Sequence, residues 1–469
     1  MPQIEAFRGL VYAPRLRGSL DRLVAPPYDI LSEEQRVRLA ERHENNVIHV
    51  DLPRSVAGED PYAAAARLLE RWVVDGVLTR DHRAAFYACE QRYRGPSGRP
   101  AARRGLFARL RLEPFGAGSV IPHERTLERP RADRQRLLAA TRTHLSAIFL
   151  LHPDPHGDVA RLVGAALEGE PFEQARDDDG TLSRVVRVDD SERLEFLTGR
   201  LRDHWALIAD GHHRYESALA YRDERRAIGL HDAEHVLAFL CSLEDPGLAI
   251  FPIHRLIHSL ADFDAARFCG RLAQVFRLAP AADGESLRQA VAARAGRPGV
   301  FGVALADGSF RLAEWKEGEG LSGPEMESTP AALRRLDVVL LHRLVLEGML
   351  GITPEAQGRQ SNLDYVKDHR ELFLRVAQGR AQIGILMNPT RIDQVIEATR
   401  GGERLPQKST TSTRRFRAGW SSIGSTDPAP RRVTSGPPPR AIFYRSGLSS
   451  RSRATTRGSV AATISASPS

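Results

Sequence analysis

The sequence predicts a mixed α and β protein with two globular regions and a disordered tail. Three observations lead to this prediction. Helical and strand patterns alternate along residues 1–408, the 469-residue chain is too long for one ordinary core, and the composition changes abruptly at Ser409. We therefore expect a larger region over residues 1–250, a smaller α+β region over 251–408 and a tail over 409–469.

The first half of region 1–250 contains patterns for two helices and three strands. Ser32 is a good N-cap, and the acidic first turn of "SEEQRVRLAERH" after it suits a helix dipole. "NNVIHVDL" predicts a strand, and "PYAAAARLLERWVVDGVL" predicts an amphipathic helix that ends near Gly76. "AAFYACEQRY" and "RRGLFARLRLE" alternate like paired strands around the turn "RGPSGRP".

The second half of this region continues the alternation. "VIPHERT" is typical of a strand end entering a polar loop, and "AIFLLHPD" of a short buried strand. Helices are expected at "RADRQRLLAATRTHL" and "DVARLVGAALEG", with the segment "SRVVRVDD" after the second. The strand "HWALIA" then runs directly into the helix "YESALAYRDERRA".

The pattern restarts near residue 250, where we place the boundary between the two globular regions. Helices are expected at "DAARFCGRLAQVF", "RRLDVVLLHRLVLEGML" and "RIDQVIEATR". Strands are expected at "GVFGVALA", "FRLAEW" and "AQIGILMN". Both regions are therefore predicted to mix helices and strands.

The composition argues against several classes of protein. No apolar run approaches the roughly 18 residues needed to span a bilayer, and the start of the chain lacks the pattern of a signal peptide. Cys89, Cys241 and Cys269 are too widely spaced to indicate a disulfide framework or a zinc site. We expect a cytoplasmic protein without membrane contact.

The positive charge of the chain is confined to the tail. Residues 409–469 hold ten arginines and one acidic residue, a balance of +9, so subtraction from the total of +8 leaves −1 for residues 1–408. Strong nucleic-acid binding needs many cationic contacts to phosphates. Nucleic acid is therefore not an expected partner of the globular body.

The tail itself has two explanations. Its Ser, Thr, Arg, Pro and Gly composition predicts disorder, and a basic disordered tail is a candidate nucleic-acid binder. The second hypothesis is a translated frameshift. Restoring one nucleotide after the Thr410 codon, in one possible set of codons, yields Tyr-Phe-Tyr-Pro-Lys-Val-Pro-Ser-Gly-Leu-Val-Phe-Asn-Arg-Leu, which suits a strand and a terminus. Resequencing the gene across the Ser409 codon distinguishes the two.

The stretch "LIADGHHRYESALAY" carries the main functional prediction, because four polar residues and a glycine lie at a strand-to-helix turn. Free backbone N–H groups at a helix start bind anions, Gly211 permits close approach, and Arg214 can grip a phosphate through two donors. Asp210 can bind a metal ion, while His212 and His213 can exchange protons near neutral pH. Alternatively, Asp210 caps the helix, Gly211 makes the turn and the histidines pair with local carbonyls.

Two further segments contain candidate site residues. In "IPHERTLERPRADR", His123 and Glu124 are catalytic candidates, Glu124 as a general base or metal ligand, and Arg125 and Thr126 are cofactor-binding candidates. On a surface loop the same run would form ordinary ion pairs. In "APPYDIL", Asp29 could contact the cofactor through a metal ion or could cap the next helix.

Together these stretches resemble the domain of unknown function 1015 family. The matching pieces are "VAPPYDIL", "NNVIHVDLP", "IPHERT…ADR", "IADGHHRYESALAY", "LEDPGLAIFPIHRLI" and "LPQKST", across about residues 4–410. In that family the last piece continues into a tyrosine- and phenylalanine-rich ending, which the restored reading frame recovers. This sequence departs from the family there.

The turn "DGHHR" also resembles the Gly-x-x-Arg phosphate box of the ParB/sulfiredoxin-like superfamily, which includes partition proteins, sulfiredoxin and free-serine kinases. This resemblance implies a ParB/sulfiredoxin-like, nucleotide-binding fold for the first region. It also implies that Gly211 and Arg214 hold phosphates, with His212 and His213 beside them.

Three functions follow as hypotheses. The first is phosphoryl transfer from ATP or ADP to a small hydroxyl substrate such as serine, with Mg²⁺ on Asp210 and with Glu124 or His213 as the base. The second is a non-catalytic, ParB-like nucleotide-binding or DNA-partition accessory protein. The third is a metal-dependent phosphatase or hydrolase that uses His123, Glu124, Asp210 and His212. The expected partners are a nucleotide and a small molecule.

Overall fold

The computed structural model describes most of the chain up to residue 424. The described residues are 2–55, 58–95, 98–116, 118–124, 128–202, 204–319, 324–327, 329–400, 403, 405, 411–412 and 423–424. All of them belong to one compact unit, Met1–Asp427. Two short strands are described within residues 409–469, and the rest of that predicted tail, with its predicted disorder and frameshift, lies outside the described residues.

The described residues contain strands from near the N-terminus to residue 424. In chain order they are β1 (Ile4–Glu5), β2 (Leu10–Tyr12), β3 (Leu78–Arg80), β4 (Phe86–Arg94), β5 (Pro100–Arg111), β6 (Val120–Pro122), β7 (Thr143–His144), β8 (Ile148–His152), β9 (Glu173–Arg176), β10 (Leu182–Val188), β11 (Ala206–Asp210), β12 (His235–Ser242), β13 (Ile250–Phe251), β14 (His254–Ile257), β15 (Phe276–Ala281), β16 (Val300–Leu305), β17 (Phe310–Trp315), β18 (Leu363–Val366), β19 (Ile383–Met387), β20 (Thr411–Ser412) and β21 (Ile423–Gly424).

Helices lie between these strands. They are α1 (Leu20–Leu23), α2 (Glu33–Arg42), α3 (Ile48–Asp51), α4 (Pro61–Val74), α5 (Glu128–Thr141), α6 (Asp158–Ala166), α7 (Ser191–Arg202), α8 (His212–Ala227), α9 (Ala265–Val275), α10 (Gly284–Ala292), α11 (Pro324–Glu327), α12 (Asp337–Leu340), α13 (Pro354–Arg359), α14 (His369–Ala377) and α15 (Ile392–Arg400). Short 3₁₀ turns lie at Pro14–Ser19, Tyr28–Ile30 and Ala331–Leu333, and a π-helix at Leu341–Glu347.

Two large sheets organise the chain. The nine-stranded sheet has the order β6-β11-β8-β12-β5-β4-β10-β9, with β1 beside β5, and the six-stranded sheet has the order β15-β17-β16-β19-β14-β18. In the larger sheet β6 is parallel to β11 and β8 is parallel to β12, and its other pairs are antiparallel. The predicted mixed α and β fold class is confirmed. The domain boundaries near 250 and 408 stay predictions.

The larger sheet packs against a hydrophobic core on each face. Successive side chains of a strand point to opposite faces, so Ile148 and Leu150 of β8 join one core, while Phe149 and Leu151 join the other. The first core includes side chains of α6, α7 and α8. The second extends into the residues of the smaller sheet. Burial of both faces fixes the register of the strands and hence the position of each strand end.

Several predicted elements are confirmed. Helix α2 begins after Ser32, whose hydroxyl accepts from the Gln35 backbone N–H at 3.2 Å, while the Gln35 side chain accepts from the Ser32 N–H at 2.9 Å. This also corrects the alternative that Asp29 caps α2. Strands β4 and β5 pair antiparallel around the predicted turn. None of the helices among the described residues is both long and apolar enough to cross a bilayer.

The predicted strand at "NNVIHVDL" is wrong, because this segment forms the one-turn helix α3. The Asn46 side chain is fully buried and accepts from the Ile48 N–H at 2.9 Å, and it donates to the Arg22 carbonyl at 2.6 Å. Such a side-chain acceptor competes with strand pairing and starts a turn. The turn places the Asp51 side chain at the end of α3 in the interior.

Candidate functional site

The predicted strand-to-helix junction lies at one end of the strands of the larger sheet. Strands β6 and β11 are adjacent and parallel, and Ile208 pairs with Pro122. Glu124 and Asp210 each follow this pair by two residues, so they lie at the same end of the sheet. Ligands of open α/β sheets bind in the crevice outside the carboxyl ends of parallel strands. The sheet therefore brings Glu124 and the junction together.

Helix α8 begins at this end of the sheet, with Gly211 as its N-cap. Gly211 has φ 96°, a left-handed conformation that favours glycine, and a Cβ added there would lie 3.0 Å from both Ile148 Cγ2 and Arg214 Nη2. The N-cap makes no side-chain hydrogen bond to the first turn. The N-cap residue of α8 is Gly211 rather than Asp210, and the start of α8 has the features of an anion-binding helix N-terminus.

Arg214 and Asp210 form an ion pair across the first turn of α8. Arg214 Nη2 donates to Asp210 Oδ2 at 2.7 Å, and both side chains are mostly buried. The other guanidinium nitrogen, Nη1, donates to the Ala147 carbonyl and to Ser146 Oγ at 3.3 Å. The guanidinium is thus fixed against the residues that precede β8, which pre-organises its position.

His123 and His212 are buried and hold β6 to the junction. His123 Nδ1 hydrogen-bonds to the Ile208 carbonyl at 2.6 Å, so Nδ1 carries a hydrogen, and His212 Nε2 accepts from the His123 backbone N–H at 3.1 Å. Burial lowers the pKa of His123 to about 4. His123 is therefore neutral at pH 7, and its predicted catalytic role stays a prediction. The alternative that His212 and His213 pair with local carbonyls also stays a prediction.

Glu124 and His213 are partly exposed beside the junction. Glu124 forms a parallel bridge with Leu405, and its charge raises the pKa values of Arg255 and Tyr365 in the smaller sheet. Burial lowers the pKa of Arg255 to about 10, against the opposing charges of Tyr365 and Glu124. The smaller sheet therefore approaches the candidate site from the side of Glu124.

An ion pair between Asp51 and Arg134, which the sequence patterns do not predict, lies close to the junction. Arg134 Nη1 donates to the Asp51 carboxylate at 3.1 Å and to the Asp51 carbonyl at 3.0 Å, and both residues are buried. The Arg134 guanidinium also lies 4.0 Å above the Tyr28 ring. Burial acts to lower the pKa of Arg134, but the charges of Asp51 and Asp133 outweigh it and raise that pKa. Arg134 therefore stays charged.

This ion pair connects Asp29 with the junction. Burial raises the pKa of Asp51, the charges of Arg134 and Arg214 partly offset the rise, and Asp29 adds to it. Asp51, Arg134 and Arg214 line a cavity of about 40 Å³. Asp51 Oδ2 is buried and has no hydrogen-bond partner among the described residues. A cavity of this size accommodates a water molecule rather than a nucleotide.

The remaining predicted contacts divide into two groups. Arg125 and Thr126 lie outside the described residues. The predicted Mg²⁺ ligand Asp210 is described, but its carboxylate is already balanced by the Arg214 guanidinium at 2.7 Å. Within the described part of the chain, no group of three or more His, Cys, Asp or Glu side chains could hold a metal ion. The described residues therefore form no metal centre built from protein ligands alone, and Mg²⁺ on Asp210 together with nucleotide phosphates stays a prediction.

The fold and the site together define a mixed α/β protein in which a helix begins at Gly211, at the carboxyl ends of two parallel strands. The family model described as "Protein of unknown function (DUF1015)" matches residues 4–339, and the chain belongs to this family. The predicted family resemblance is thereby confirmed. No curated protein matches the sequence. The ParB/sulfiredoxin-like character of the junction stays a prediction.

Solved structures with a similar arrangement are distant. A conserved hypothetical protein from Pyrococcus furiosus is 13% identical, with 68% of this chain and 94% of that chain covered and a TM-score of 0.33. A free serine kinase variant in complex with AMP is 11% identical, with coverages of 68% and 90% and a TM-score of 0.34. SbnI with a C-terminal truncation, from Staphylococcus aureus, is 12% identical, with coverages of 64% and 81% and a TM-score of 0.31. Likeness at this level does not establish a shared site.

Proposed function

We propose that the carboxyl ends of β6 and β11 and the start of α8 together bind the phosphates of a nucleotide. The observation that carries this proposal is the start of α8, where the N-cap Gly211 has φ 96° and lies beside the fixed guanidinium of Arg214. Backbone N–H groups, the helix dipole and a guanidinium together favour a phosphate group. Because the cavity at Arg214 is small, the nucleotide lies outside it, at the carboxyl ends of β6 and β11.

The reaction proposed at this site is phosphoryl transfer from ATP or ADP to a small hydroxyl substrate. The hydroxyl oxygen attacks the terminal phosphorus, the bond to the bridging oxygen breaks, and the nucleotide leaves with one phosphate fewer. Arg214 and the start of α8 stabilise charge on the phosphates, and Glu124 or His213 accepts the hydroxyl proton. Serine is the first acceptor to test, as the superfamily resemblance of the junction implies.

Isothermal titration calorimetry with ADP and ATP tests the binding site. Arg214→Ala is expected to abolish nucleotide binding, because it removes the positioned donor for the phosphates. Arg214→Lys keeps the charge but loses the planar pair of donors, and it is expected to bind measurably but more weakly. Unchanged affinity in Arg214→Ala contradicts the proposal.

Two controls separate a lost ligand contact from a damaged fold. Arg226→Ala removes an arginine at the far end of the same helix, where it pairs with Glu234, and is expected to leave nucleotide affinity unchanged. Arg214→Ala also leaves the mostly buried Asp210 without its ion pair, which destabilises a protein. The double variant Arg214→Ala with Asp210→Asn removes that charge, and it is still expected to bind no nucleotide.

A non-catalytic nucleotide-binding protein is the second candidate. The observation in its favour is that Arg214 balances Asp210, while a pKa of about 4 makes the buried His123 a weak base. Phosphorus NMR of the protein with ATP or ADP and serine distinguishes the two. A new phosphate-ester signal supports transfer, and tight binding without any new signal for serine or other small hydroxyl acceptors supports the second candidate.

A further inference from the structure

A second, larger cavity lies at the opposite end of the strands of the nine-stranded sheet, at the carboxyl ends of the parallel strands β8 and β12. Its volume is about 500 Å³, within the range of small-molecule sites. Arg214 contacts Ala147 before the start of β8, whereas His152 at the end of β8 lines this cavity. Five residues of extended strand separate them by about 16 Å, so this cavity is separate from the proposed nucleotide site.

His152 provides a buried acceptor in this cavity. Its side chain is 1% exposed, and Nδ1 hydrogen-bonds to the Pro153 carbonyl at 3.1 Å, so Nδ1 carries the hydrogen. Burial lowers the pKa of His152, the neighbouring His204 lowers it further, and Asp154 and Glu244 act against both. The ring is therefore neutral at pH 7 and its Nε2 is an acceptor. Nε2 makes no hydrogen bond to any other part of the chain that the structure describes.

Acidic side chains dominate the polar wall of the cavity. Both Asp154 oxygens accept from backbone N–H groups of α6, and both Asp245 oxygens accept from the backbone N–H groups of Gly247 and Arg104. Glu244 differs, because Oε2 accepts from the Asp154 N–H and from Ser242, whereas Oε1 has no hydrogen bond within the described residues. Glu244 is an exposed residue, so its Oε1 is open to solvent and can be reached by a ligand at the mouth of the cavity.

The single positive charge in the described lining does not cancel this acidity. Arg104 Nε donates to Glu90 at 2.9 Å, so its charge is already paired outside the cavity. The remaining wall is apolar and built from small or branched side chains, among them Val159, Val163 and Leu240. A ligand suited to this cavity has hydrogen-bond donors, a positive charge and an apolar part.

The loop that carries Glu244 is fixed in place. A Cβ on Gly247 would lie 1.8 Å from the Ala102 carbonyl oxygen, so only glycine permits this approach of the loop to β5. Tyr93 also donates its hydroxyl hydrogen to the Gly247 carbonyl. Fixed walls reduce the entropy lost on ligand binding.

We propose that this cavity binds a small organic amine, whose ammonium group donates to Glu244 Oε1 and His152 Nε2 and whose apolar part contacts Val159, Val163 and Leu240. This site gives a role to the segment "LEDPGL", which the sequence resemblance contains and the nucleotide proposal does not use. The two proposals are independent, because they concern sites at opposite ends of the strands of the larger sheet.

Ligand-observed NMR titration of the full-length protein tests the proposal with three probes of matched shape. We expect 2-phenylethylamine to bind, and we expect the neutral 2-phenylethanol to bind roughly tenfold more weakly because it lacks the charged donor. The anionic 3-phenylpropionate is expected to bind more weakly still. Absence of amine binding, or equal binding of the carboxylate, overturns the proposal without affecting the nucleotide site.

Variants locate the probe. Glu244→Gln keeps an acceptor for the Asp154 N–H but removes the charge, and it is expected to weaken the amine roughly fivefold while leaving 2-phenylethanol unchanged. His152→Leu is expected to weaken the amine roughly tenfold, because a buried acceptor of a charged donor is lost. Glu192→Gln on the exposed surface of α7 is the charge-matched control. Equal amine affinity in Glu244→Gln, His152→Leu and the control overturns the assignment.

Discussion

His123 shows how burial changes the chemistry of a residue that the sequence predicts to be catalytic. Burial in the folded protein holds its pKa at about 4, below the usual histidine value of about 6.5. Below pH 6.5 the unfolded chain binds a proton that the folded chain does not bind, so the free energy of unfolding falls as the pH falls from 6.5 towards 4. His123 contributes about 2 kcal/mol to this loss at pH 5.

Urea denaturation at pH 7 and pH 5 measures this contribution. His123→Gln retains a side-chain donor for the Ile208 carbonyl but does not titrate, so its stability is expected to depend less on pH than that of the wild type. Parallel stability curves for the two proteins would show that His123 titrates normally and is not held neutral by burial.

The residues of the candidate site differ in how far the sequence reveals them. Asp210, Gly211 and Arg214 are close in sequence, so one strand-to-helix pattern predicts their proximity. Asp51 and Arg134 are 83 residues apart, and only the packing of the fold brings them within 3.1 Å. The run "ADR" in the matched segment is the one sequence signal that pointed towards Arg134.

Helix α8 allows a test of the junction at the level of one element. Gly211→Ala places a side chain at φ 96° and within 3.0 Å of Ile148 and Arg214. We expect it to lower the free energy of unfolding by about 1–3 kcal/mol and to weaken nucleotide binding, because Arg214 must move. Denaturant unfolding and calorimetry measure the two effects.

The matched control is Gly157→Ala at the N-cap of α6. Gly157 has φ 66°, but the nearest atom to an added Cβ is the flexible Arg161 Nη1 at 3.6 Å. This variant is expected to lose stability from backbone strain alone and to keep its nucleotide affinity. If both variants bind nucleotide like the wild type, the start of α8 is not the phosphate site.

Elements with a complete local signal were predictable, and those set by distant contacts were not. The start of α2 follows from Ser32 and Gln35, which form a capping box within four residues. The segment Ile48–Asp51 has the composition of a strand, but Asn46 turns it into a helix through a hydrogen bond to Arg22 in another segment. The periodicity of apolar residues does not contain that contact.

The charge distribution of the whole molecule gives a prediction about DNA. Residues 428–469 contain seven arginines and no acidic residue, so the compact unit that ends at Asp427 keeps only +1 of the total +8. Any binding of duplex DNA by the full chain is therefore expected to fall steeply with salt and to disappear in a chain that ends at Asp427.

Fluorescence anisotropy with labelled duplex DNA at two salt concentrations measures this effect, and calorimetry checks that the shortened chain still binds nucleotide. Equal DNA affinity of the full and shortened chains would place the contacts in the body. That result would favour a DNA-partition accessory role over phosphoryl transfer.

A crystal structure of the protein with ADP tests the central claim most directly, because it shows where the phosphates bind. We predict phosphate oxygens within hydrogen-bond distance of the backbone N–H groups in the first turn of α8 and of the Arg214 guanidinium. ADP phosphates bound elsewhere, with Arg214 still held only by Asp210, Ser146 and Ala147, would contradict it.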